Sequence, residues 1–352
     1  MRIVLVLGTS SGGVARHVRT LAGGLTGAGH DVLVAGPPAT QADFGFTGTG
    51  AAFAALSFSD RPHPLNDLRT VRELRRLTRD ADVVHAHGLR AGALAALAGP
   101  PGLVVTLHNA LTAGGAVGAV YGVLERVVAR RADRVLAVSP DLGERMRELG
   151  ARRVGAAVVP APELGGGGRS PEEVRRELGE GAVVLTVARL AQQKGLEVLL
   201  SAAAGPYPEK VLFVVAGEGP LRAELEERIA AESLPVRLLG NRGDVGDLLR
   251  AAAVFVVPSR WEGQPLSVHE ALRAGVPIVS TRVGGIPDMV GDAALLVPPG
   301  DGAAIRDAVG RILGEPGLAG KLRAAAAERG RNLPTEADAV QAVLRVYAGI
   351  RE

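Results

Sequence analysis

Short runs of β-branched residues and leucine alternate along the chain with longer segments rich in alanine, leucine and arginine. Short apolar runs bounded by glycine, proline or aspartate are typical of strands buried in a parallel sheet. In the first half, this pattern predicts strands at residues 2–7, 31–35, 82–85, 103–107, 134–138 and 154–159. Helical segments fit between them at residues 14–28, 65–79, 89–98, 116–131 and 140–149.

The alternation stops at PAPELGGGGRS, residues 160–170, whose prolines and glycines mark a linker. It resumes with predicted strands at residues 182–188, 211–216, 236–239, 253–257, 277–280 and 294–297. This predicts an α/β fold with two doubly wound, Rossmann-like parallel-sheet domains that face each other across a cleft. The expected boundaries are residues 1–160, a linker at 161–170, residues 171–334, and a C-terminal helix at 335–352 that crosses back to the first domain.

Composition narrows the classes of protein that fit. The 352 residues are 47% hydrophobic and contain no cysteine, which excludes disulfides and thiolate metal sites and fits a reducing compartment. The net charge is only +3 and aromatics make up 3%, which disfavours nucleic-acid binding. The longest apolar run near the N-terminus, residues 3–7, is too short for a signal sequence or a membrane span. We therefore expect a soluble, cytoplasmic protein.

Ligands of doubly wound sheets bind at the carboxyl ends of the strands, which ranks the polar residues by position. The first strand leads into GTSSGGVARHV, where Gly12 and Gly13 open a helix. Their backbone N–H groups and the positive end of the helix dipole suit an anion such as phosphate. The segment matches neither GxGxxG nor a P-loop, and an ordinary glycine turn is an equally good interpretation.

The strand at 182–188 ends in ARLAQQKG, which places Arg189 and Lys194 in one loop. A guanidinium fork and a mobile ammonium together suit a diphosphate. Two solvated surface cations are the alternative. The position at the ligand end and the use of one of only three lysines favour the diphosphate.

The strand at 253–257 is followed by SRWEGQPLSVHEALRAG, which contains Glu262 and Glu270. Pro265 suits the first turn of a helix and Gly275 its end, so Glu262 lies in the loop and Glu270 in the second helical turn. Carboxylates near a helix N-terminus are stabilised as anions, which argues against a general acid. They suit pairs of ligand hydroxyls, whereas compensation of the helix dipole is the structural alternative.

Three polar motifs have simpler explanations than metal binding. Residues 80–82 form a DxD sequence, but they precede a strand, at the end opposite the ligand site. His85 and His87 lack an evident further zinc ligand, so a polar strand end is favoured. His108 follows the strand at 103–107 and faces the expected cleft, where a substrate contact competes with a structural role.

These motifs together resemble the family 4 glycosyltransferases of GT-B fold. The resemblance rests on the E-x7-E segment of Glu262 and Glu270, on VARLAQQKG, AGEGP, GGVARHV and VVTLHN, and spans both predicted domains in order. It implies a retaining, hexosyltransferase-type enzyme that needs neither metal nor cofactor. The implied donor is a nucleotide-diphosphate sugar, UDP- or GDP-linked, and the acceptor is an unidentified small molecule, lipid-linked compound or glycan.

The resemblance also implies roles for the candidate residues. Arg189 and Lys194 would stabilise the diphosphate leaving group, Glu262 would hold the sugar hydroxyls, and His108 would lie near the reacting centre. The remaining donor contacts would be Gly12, Gly13, Arg242 (with Asn241, to the base), Gly263, Gln264, Pro265, Leu266 and Glu270, the last on the ribose hydroxyls. No residue is assigned as a nucleophile, because in this family a phosphate oxygen is expected to take the acceptor proton.

Two departures and two alternatives accompany this interpretation. Where the family commonly has an Asn-Gly-hydrophobic-Asp segment, this chain has VVPAPELGG, and Asp288 follows the later Gly-Gly pair in place of glutamate. A nucleotide-sugar epimerase of the same fold, or a non-catalytic GT-B partner of another enzyme, would show many of the same motifs.

The helix at 65–79 has an apolar stripe beside Arg69, Arg72, Arg76 and Arg79. A solvated outer face is the favoured interpretation of this stripe. Peripheral contact with an anionic membrane, at the inner face of the cell membrane, is the alternative.

Overall fold

The structure is a computed structural model that describes residues 1–10, 12–58, 63–110 and 115–351. The chain divides into two compact units. Unit 1 comprises residues 1–160 and 334–352, and unit 2 comprises residues 161–333. Each unit is a parallel sheet covered by helices, so the predicted fold class, with two doubly wound α/β domains, is confirmed.

Unit 1 has a seven-stranded sheet in the order β3-β2-β1-β4-β5-β6-β7, and every neighbouring pair is parallel. The strands are β1 (Arg2–Leu7), β2 (Asp31–Gly36), β3 (Ala52–Ala55), β4 (Val83–His87), β5 (Leu103–Leu107), β6 (Arg134–Ala137) and β7 (Val154–Ala156). The helices are α1 (Gly13–Gly27), α2 (Pro38–Phe44), α3 (Pro64–Leu77), α4 (Leu89–Ala98), α5 (Gly115–Arg131) and α6 (Pro140–Glu148), with a short 3-10 helix at Phe46–Thr49.

Unit 2 has a six-stranded parallel sheet in the order β10-β9-β8-β11-β12-β13. Its strands are β8 (Ala182–Val187), β9 (Val211–Ala216), β10 (Val236–Gly240), β11 (Val254–Val257), β12 (Ile278–Thr281) and β13 (Ala294–Val297). Its helices are α7 (Pro171–Leu178), α8 (Leu196–Ala203), α9 (Arg222–Ala231), α10 (Val245–Ala251), α11 (Leu266–Ala274), α12 (Ile286–Val290), α13 (Gly302–Gly314) and α14 (Leu318–Arg331), with a 3-10 turn at Gln192–Lys194.

The central strand β11 shows why its sequence is apolar throughout. Phe255 and Val257 belong to the core on one face of the sheet, and Val254 and Val256 belong to the core on the other. Because successive side chains of a strand point to opposite faces, a strand covered on both sides must be apolar at every position. The run of four apolar residues therefore predicts a central, doubly covered strand.

The last helix, α15 (Glu336–Arg351), belongs to unit 1 and packs on α1. Tyr347 of this helix is fully buried, and its hydroxyl lies 2.7 Å from Nδ1 of His85 on β4. Gly24 of α1 permits close packing, because a Cβ at this position would lie 2.2 Å from Val340. The C-terminal segment is therefore part of the core of unit 1.

The glycine-rich segment predicted as a linker lies against α10 of unit 2. Asp247 is fully buried and accepts a hydrogen bond from the backbone N–H of Gly167 at 2.7 Å. A Cβ at Gly166 would lie 2.6 Å from the Asp247 carboxylate, and one at Gly246 would lie 1.8 Å from the Gly165 carbonyl. The backbones approach so closely here that only glycine fits, and the segment therefore packs against unit 2.

The predicted strands all exist, with ends shifted by no more than a few residues, whereas β3 and α2 were missed. The edge strand β3 has the sequence AFAA and is only partly buried, so it lacks the β-branched signal of its neighbours. No helix in the described part of the chain is long and apolar enough to cross a membrane.

Candidate functional site

Each sheet has a position where the strand order reverses, and the candidate residues lie there. In unit 1 the reversal lies between β1 and β4, and in unit 2 between β8 and β11. The connections after such neighbours leave in opposite directions and open a crevice at the carboxyl ends of the strands. The predicted cations follow β8, the predicted carboxylates follow β11, and the early glycines follow β1.

In unit 2, Lys194 and Glu262 form an ion pair with 2.6 Å between Nζ and Oε1. The Ser259 hydroxyl donates to the same oxygen, also at 2.6 Å. The Glu262 side chain is only 7% exposed, and that of Lys194 is 24% exposed. Because a carboxylate so deeply buried needs donors to remain charged, the ammonium and hydroxyl together stabilise it. The sequence predicted that both residues bind ligand, but not that they contact each other.

Backbone contacts hold the loop after β8 against the loop after β11. The Arg260 backbone N–H donates to the Gln193 backbone carbonyl at 2.8 Å, and the side-chain amide of Gln193 donates to the Trp261 backbone carbonyl at 3.0 Å. Gly195 has a φ of 63° and touches Pro258, whose carbonyl oxygen would lie 2.2 Å from a Cβ. The loop that carries Lys194 can approach Glu262 only because a glycine follows it.

Two consecutive glycines after β12 support the main chain of Glu262. The Gly285 N–H donates to the Glu262 carbonyl at 3.0 Å, and a Cβ at Gly284 would lie 1.9 Å from that oxygen. The Thr281 hydroxyl donates to the Ser259 carbonyl at 2.6 Å. The segment after β12 therefore orients the carboxylate, a role that the sequence analysis missed.

Helix α11 places the two glutamates as predicted. Pro265 occupies the N-cap position and Gly275 the C-cap, in the left-handed conformation with φ of 64°. Glu262 lies in the preceding loop, and Glu270 is half-buried on the second turn. The turn at residues 263–266 contains Gly263, which is buried, and Gln264, Pro265 and Leu266, which are half-buried.

The two arginines predicted near the donor differ in their surroundings. Arg189 is exposed, and within the described residues its guanidinium makes no ion pair. Arg242 instead donates two hydrogen bonds to Asp244, at 2.7 and 2.6 Å, and one to Glu177 at 2.9 Å. These bonds help to hold the pKa of both carboxylates below its usual range. A base contact by Arg242 would therefore use a guanidinium that already has partners.

In unit 1 the first turn after β1 has a glycine-specific conformation. Gly12 has φ 116° and ψ −131°, which side-chain-bearing residues rarely adopt, and α1 begins at Gly13. The first N–H groups of a helix have no acceptor within the helix, and among the described residues no side chain caps those of α1. Ser11 lies outside the described residues.

Four histidines gather beside this turn. His87 Nδ1 lies 3.3 Å from His108 Nε2, and the ring centres of these two residues are 5.5 Å apart. His17 of α1 packs edge-on against both rings, at 5.5 and 5.6 Å. His85 packs on His87 with ring centres 4.2 Å apart. His17, His85 and His87 are buried, whereas His108 is half-buried.

Burial keeps these histidines uncharged near neutral pH. It lowers the pKa of His17 to about 4, and burial with the nearby His17 lowers that of His85 to about 3. Burial and the neighbouring rings also lower the pKa of His87 and His108 well below 6.5. Among the described residues, no three histidine, aspartate or glutamate side chains are arranged to hold a metal ion. His85, His87 and His108 were singled out from the sequence, whereas His17 was not, although it lies within the quoted segment GGVARHV.

Two protein-family models match the chain and together cover most of both units. Residues 12–162 match the family described as "Glycosyl transferase 4-like domain", and residues 181–315 match "Glycosyl transferases group 1". The chain therefore belongs to the family 4 glycosyltransferases of GT-B fold, the family that its motifs together resemble.

The chain is similar to curated proteins that are named as glycosyltransferases or as glycogen synthase. The chain is 30% identical over 249 residues to "UDP-Gal:alpha-D-GlcNAc-diphosphoundecaprenol alpha-1,3-galactosyltransferase" of Escherichia coli, covering 63% of each chain. It is 29% identical over 363 residues to "Glycogen synthase" of Mycobacterium tuberculosis, covering 90% of this chain and 86% of the relative. The matches to the first curated relatives span between 38% and 63% of those proteins' lengths.

Solved structures share the fold at low identity. HepE of Anabaena in complex with UDP-glucose superimposes with a TM-score of 0.84 at 20% identity, covering 99% of this chain and 100% of HepE. WaaG, "a glycosyltransferase involved in lipopolysaccharide biosynthesis", gives a TM-score of 0.74 at 16% identity over 97% of this chain and 98% of WaaG.

Proposed function

We propose that this protein transfers a hexose from a nucleotide-diphosphate sugar to a hydroxyl acceptor, with retention of anomeric configuration and without a metal ion. The observation that carries the proposal is the ion pair of Lys194 with the buried Glu262 at the strand reversal of unit 2, where the exposed Arg189 lies in the same loop as Lys194. Names of relatives support a nucleotide-sugar donor, because HepE was solved with UDP-glucose and the E. coli relative is named for UDP-Gal.

Lys194 can serve the carboxylate and the diphosphate together. Its ammonium has three N–H donors, of which one is used by Glu262 Oε1. The other donors and the Arg189 fork would neutralise the diphosphate as it departs, which replaces the positive charge that a metal would supply. Lys194 would also offset the repulsion between the Glu262 carboxylate and the phosphates.

Glu262 and Glu270 would each hold ligand hydroxyls. Both described contacts of the Glu262 carboxylate go to Oε1, so Oε2 is placed to accept from the sugar. Glu270 would accept from the ribose, and the N–H groups of residues 263–266 would assist at the helix start. Gly12, Gly13 and His108 of unit 1 would contact the phosphates and the sugar, and Arg242 the base.

In the proposed step, the bond between the anomeric carbon and the diphosphate oxygen breaks while the acceptor oxygen bonds to the same face. The acceptor proton passes to a phosphate oxygen, and the bond electrons leave with the diphosphate. Glu262 accepts hydroxyl hydrogen bonds in this scheme and forms no covalent bond. The positive charge of Arg189 and Lys194 stabilises the charge that develops on the leaving group.

A thermal-shift screen tests the donor assignment. UDP, GDP, ADP and dTDP and their sugars should be compared, because a ligand that binds the folded state raises its melting temperature by mass action. We expect one nucleotide family to stabilise the protein, and Lys194→Ala to remove that shift. Lys210→Ala is the matched control, since Lys210 is exposed and pairs with Glu180 elsewhere on unit 2. No shift in the wild type, or an unchanged shift in Lys194→Ala, would refute the assignment.

Product analysis tests the reaction. With the donor selected above, we expect a glycoside whose anomeric proton coupling matches that of the donor, and turnover that EDTA does not reduce. An inverted product or a loss of turnover with EDTA would contradict the proposal. Conversion of the donor to an epimer without any acceptor would favour the epimerase alternative.

Contact with a membrane is a further part of the proposal. On α3, Leu65 and Leu68 are 76% and 48% exposed, whereas Leu74 is buried, so only the start of the predicted stripe is available. Arg69, Arg72 and Arg76 of α3 are exposed, and so is Arg79 just after the end of the helix. Exposed leucines with cations fit an anionic lipid surface. Co-sedimentation with phosphatidylglycerol vesicles at low salt should therefore occur, and no binding would exclude this role for α3.

A further inference from the structure

We propose that His87 is a positioning residue that fixes His108 as its neutral Nδ1–H tautomer, so that His108 offers the ligand a hydrogen-bond donor and no proton acceptor. The ligand contact rests on the proposed function. The tautomer itself follows from the ligand-free protein.

The pair of rings leaves His87 few alternatives. His87 Nδ1 faces His108 Nε2 at 3.3 Å, and one of these nitrogens must donate to the other. The second nitrogen of His87, Nε2, is buried and has no hydrogen-bond partner among the described residues. Whichever tautomer His87 adopts therefore decides what is left unpaired in the core.

An unpaired acceptor in a core is more common than an unpaired N–H donor. If the proton of His87 were on Nε2, a buried N–H would be left without an acceptor. If it is on Nδ1, the proton is donated to His108 Nε2 and only a lone pair remains unpaired. The second arrangement is the more stable. Both rings stay neutral, and the Nδ1–H of His87 donates to the unprotonated Nε2 of His108.

This arrangement determines what His108 presents to its surroundings. With Nε2 accepting from His87, the single ring proton of His108 must be on Nδ1. Within the described residues, Nδ1 has no hydrogen-bond partner, and the His108 side chain is half-buried, whereas His17, His85 and His87 are buried. A neutral N–H at that position can donate to a sugar hydroxyl or a phosphate oxygen, but cannot accept the acceptor's proton.

Nitrogen-15 NMR of the whole chain, labelled at histidine, tests the tautomer without any ligand. The ring nitrogens of His108, identified by their loss in His108→Ala, should show a protonated Nδ1 and a bare Nε2. A protonated Nε2 would overturn the inference. The tautomer is measured on the wild-type protein, and the His108→Ala variant is needed only to assign the resonances.

Two substitutions of His87 test the positioning role. His87→Leu removes the donor, so His108 should become a mixture of both tautomers. His87→Asn places an N–H at the same number of bonds from Cα as Nδ1 and should restore the single Nδ1–H form. His30→Leu, at the amino end of the sheet, is the control and should change nothing at His108. An unchanged single tautomer in His87→Leu would refute the role of His87.

Addition of UDP-glucose, UDP, GDP-mannose and GDP separates this inference from the proposed function. The sugar nucleotide that binds should shift the His108 Nδ1 resonance, and its diphosphate alone should shift it less. Binding detected by thermal shift with no change at His108 would overturn the ligand contact and leave the proposed function standing. If neither these four nor the ADP- and dTDP-linked ligands of the thermal-shift screen bind, the proposed function fails, while the ligand-free spectrum still decides the tautomer.

Discussion

The strand reversals of the two units present different chemistry to a ligand. At β8 and β11 of unit 2, the site is charged and its carboxylate is held by an ammonium and a hydroxyl at 2.6 Å. At β1 and β4 of unit 1, the site contains a glycine turn and histidines that burial keeps neutral. The same fold therefore provides one site that attracts by charge and another that uses uncharged polar groups.

The charged pair of unit 2 and the neutral histidines of unit 1 affect ligand binding and folding in different ways. A fixed pair of opposite charges can stabilise a diphosphate and orient hydroxyls, but it is sensitive to the loss of either partner. Neutral histidines add no charge to a site that must receive an anion, and they make folding sensitive to acid. The predictions below test these two properties, from the largest expected effect to the smallest.

Acid should destabilise unit 1 more than unit 2. The lowered pKa values of His17, His85 and His87 mean that the unfolded chain binds protons at pH values where the folded unit does not. The contribution of these neutral histidines to the free energy of unfolding is therefore fully present above the unfolded pKa of 6.5. It decreases as the pH falls from 6.5 towards 4. Each histidine contributes about 1.4 kcal/mol per pH unit, so the three together cost about 4 kcal/mol at pH 5.5.

Hydrogen exchange at pH 7.5 and 5.5, corrected for intrinsic rates, separates the units. Peptides from β1 and β4 should lose protection, while Trp261, the only tryptophan, reports unit 2 by its fluorescence. Unit 2 has only His269 with a comparably lowered pKa, about 4 by burial and the nearby Arg273, so its loss should be no more than about a third as large, since His108 adds to the loss of unit 1. Equal losses in the two units would remove the contrast.

Removal of the lysine should unfold unit 2 more easily. Lys194→Met leaves the Glu262 carboxylate buried with only the Ser259 hydroxyl among its described donors, which should cost about 3 kcal/mol. Adding Glu262→Gln to that variant should recover most of the loss, since the buried charge is then gone. Urea unfolding followed by Trp261 fluorescence measures both. If the double variant is no more stable than Lys194→Met, the ion pair does not dominate this site.

The glycine turn of unit 1 should tolerate no side chain for conformational reasons. Gly12→Ala forces alanine into φ 116° and should cost about 2 kcal/mol, although a Cβ there would have no described neighbour within 4 Å. Gly27→Ala, in the same helix and also without a neighbour within 4 Å, is the control and should be neutral or stabilising. Thermal unfolding compares the two. Similar melting temperatures for both variants would show that the backbone at Gly12 is not under this constraint.

Loss of the supporting hydroxyl should have the smallest effect. Ser259→Ala removes one of two donors to Glu262 Oε1 and should destabilise unit 2 by about 1 kcal/mol. Ser267→Ala, on a half-buried residue of α11, serves as the comparison. A loss as large as that of Lys194→Met would mean that the hydroxyl, and not the ammonium, stabilises the carboxylate.

The succession of strands and helices along the chain could be predicted from the sequence, whereas contacts between distant residues could not. Arg189, Lys194, Glu262 and Glu270 could be placed because each follows a recognisable strand, and parallel sheets gather such loops at one edge. The Lys194–Glu262 ion pair could not be predicted, because 68 positions separate the partners and no pattern specifies which loops touch. It depends on the close approach that Gly195 allows.

The histidine cluster was hidden for a related reason. His17 comes from a helix, His85 and His87 from β4, and His108 from the end of β5, so no spacing along the chain connects them. Single histidines carry no periodic signal; the register of β4 with β5 brings His85 and His87 near His108, and α1 adds His17. The Tyr347 contact adds a partner from a helix that is more than 200 positions away.

Calorimetric titration of UDP and UDP-glucose into the Glu262→Gln variant tests most directly whether Glu262 binds the sugar and not the diphosphate. Glu180→Gln, at an exposed carboxylate of unit 2, is the control and should match the wild type. We predict that Glu262→Gln weakens UDP-glucose binding about tenfold, since a charged acceptor is lost, and leaves UDP binding unchanged or tighter. Equal weakening of both ligands would contradict the account, because Glu262 would then act on the diphosphate or on the fold.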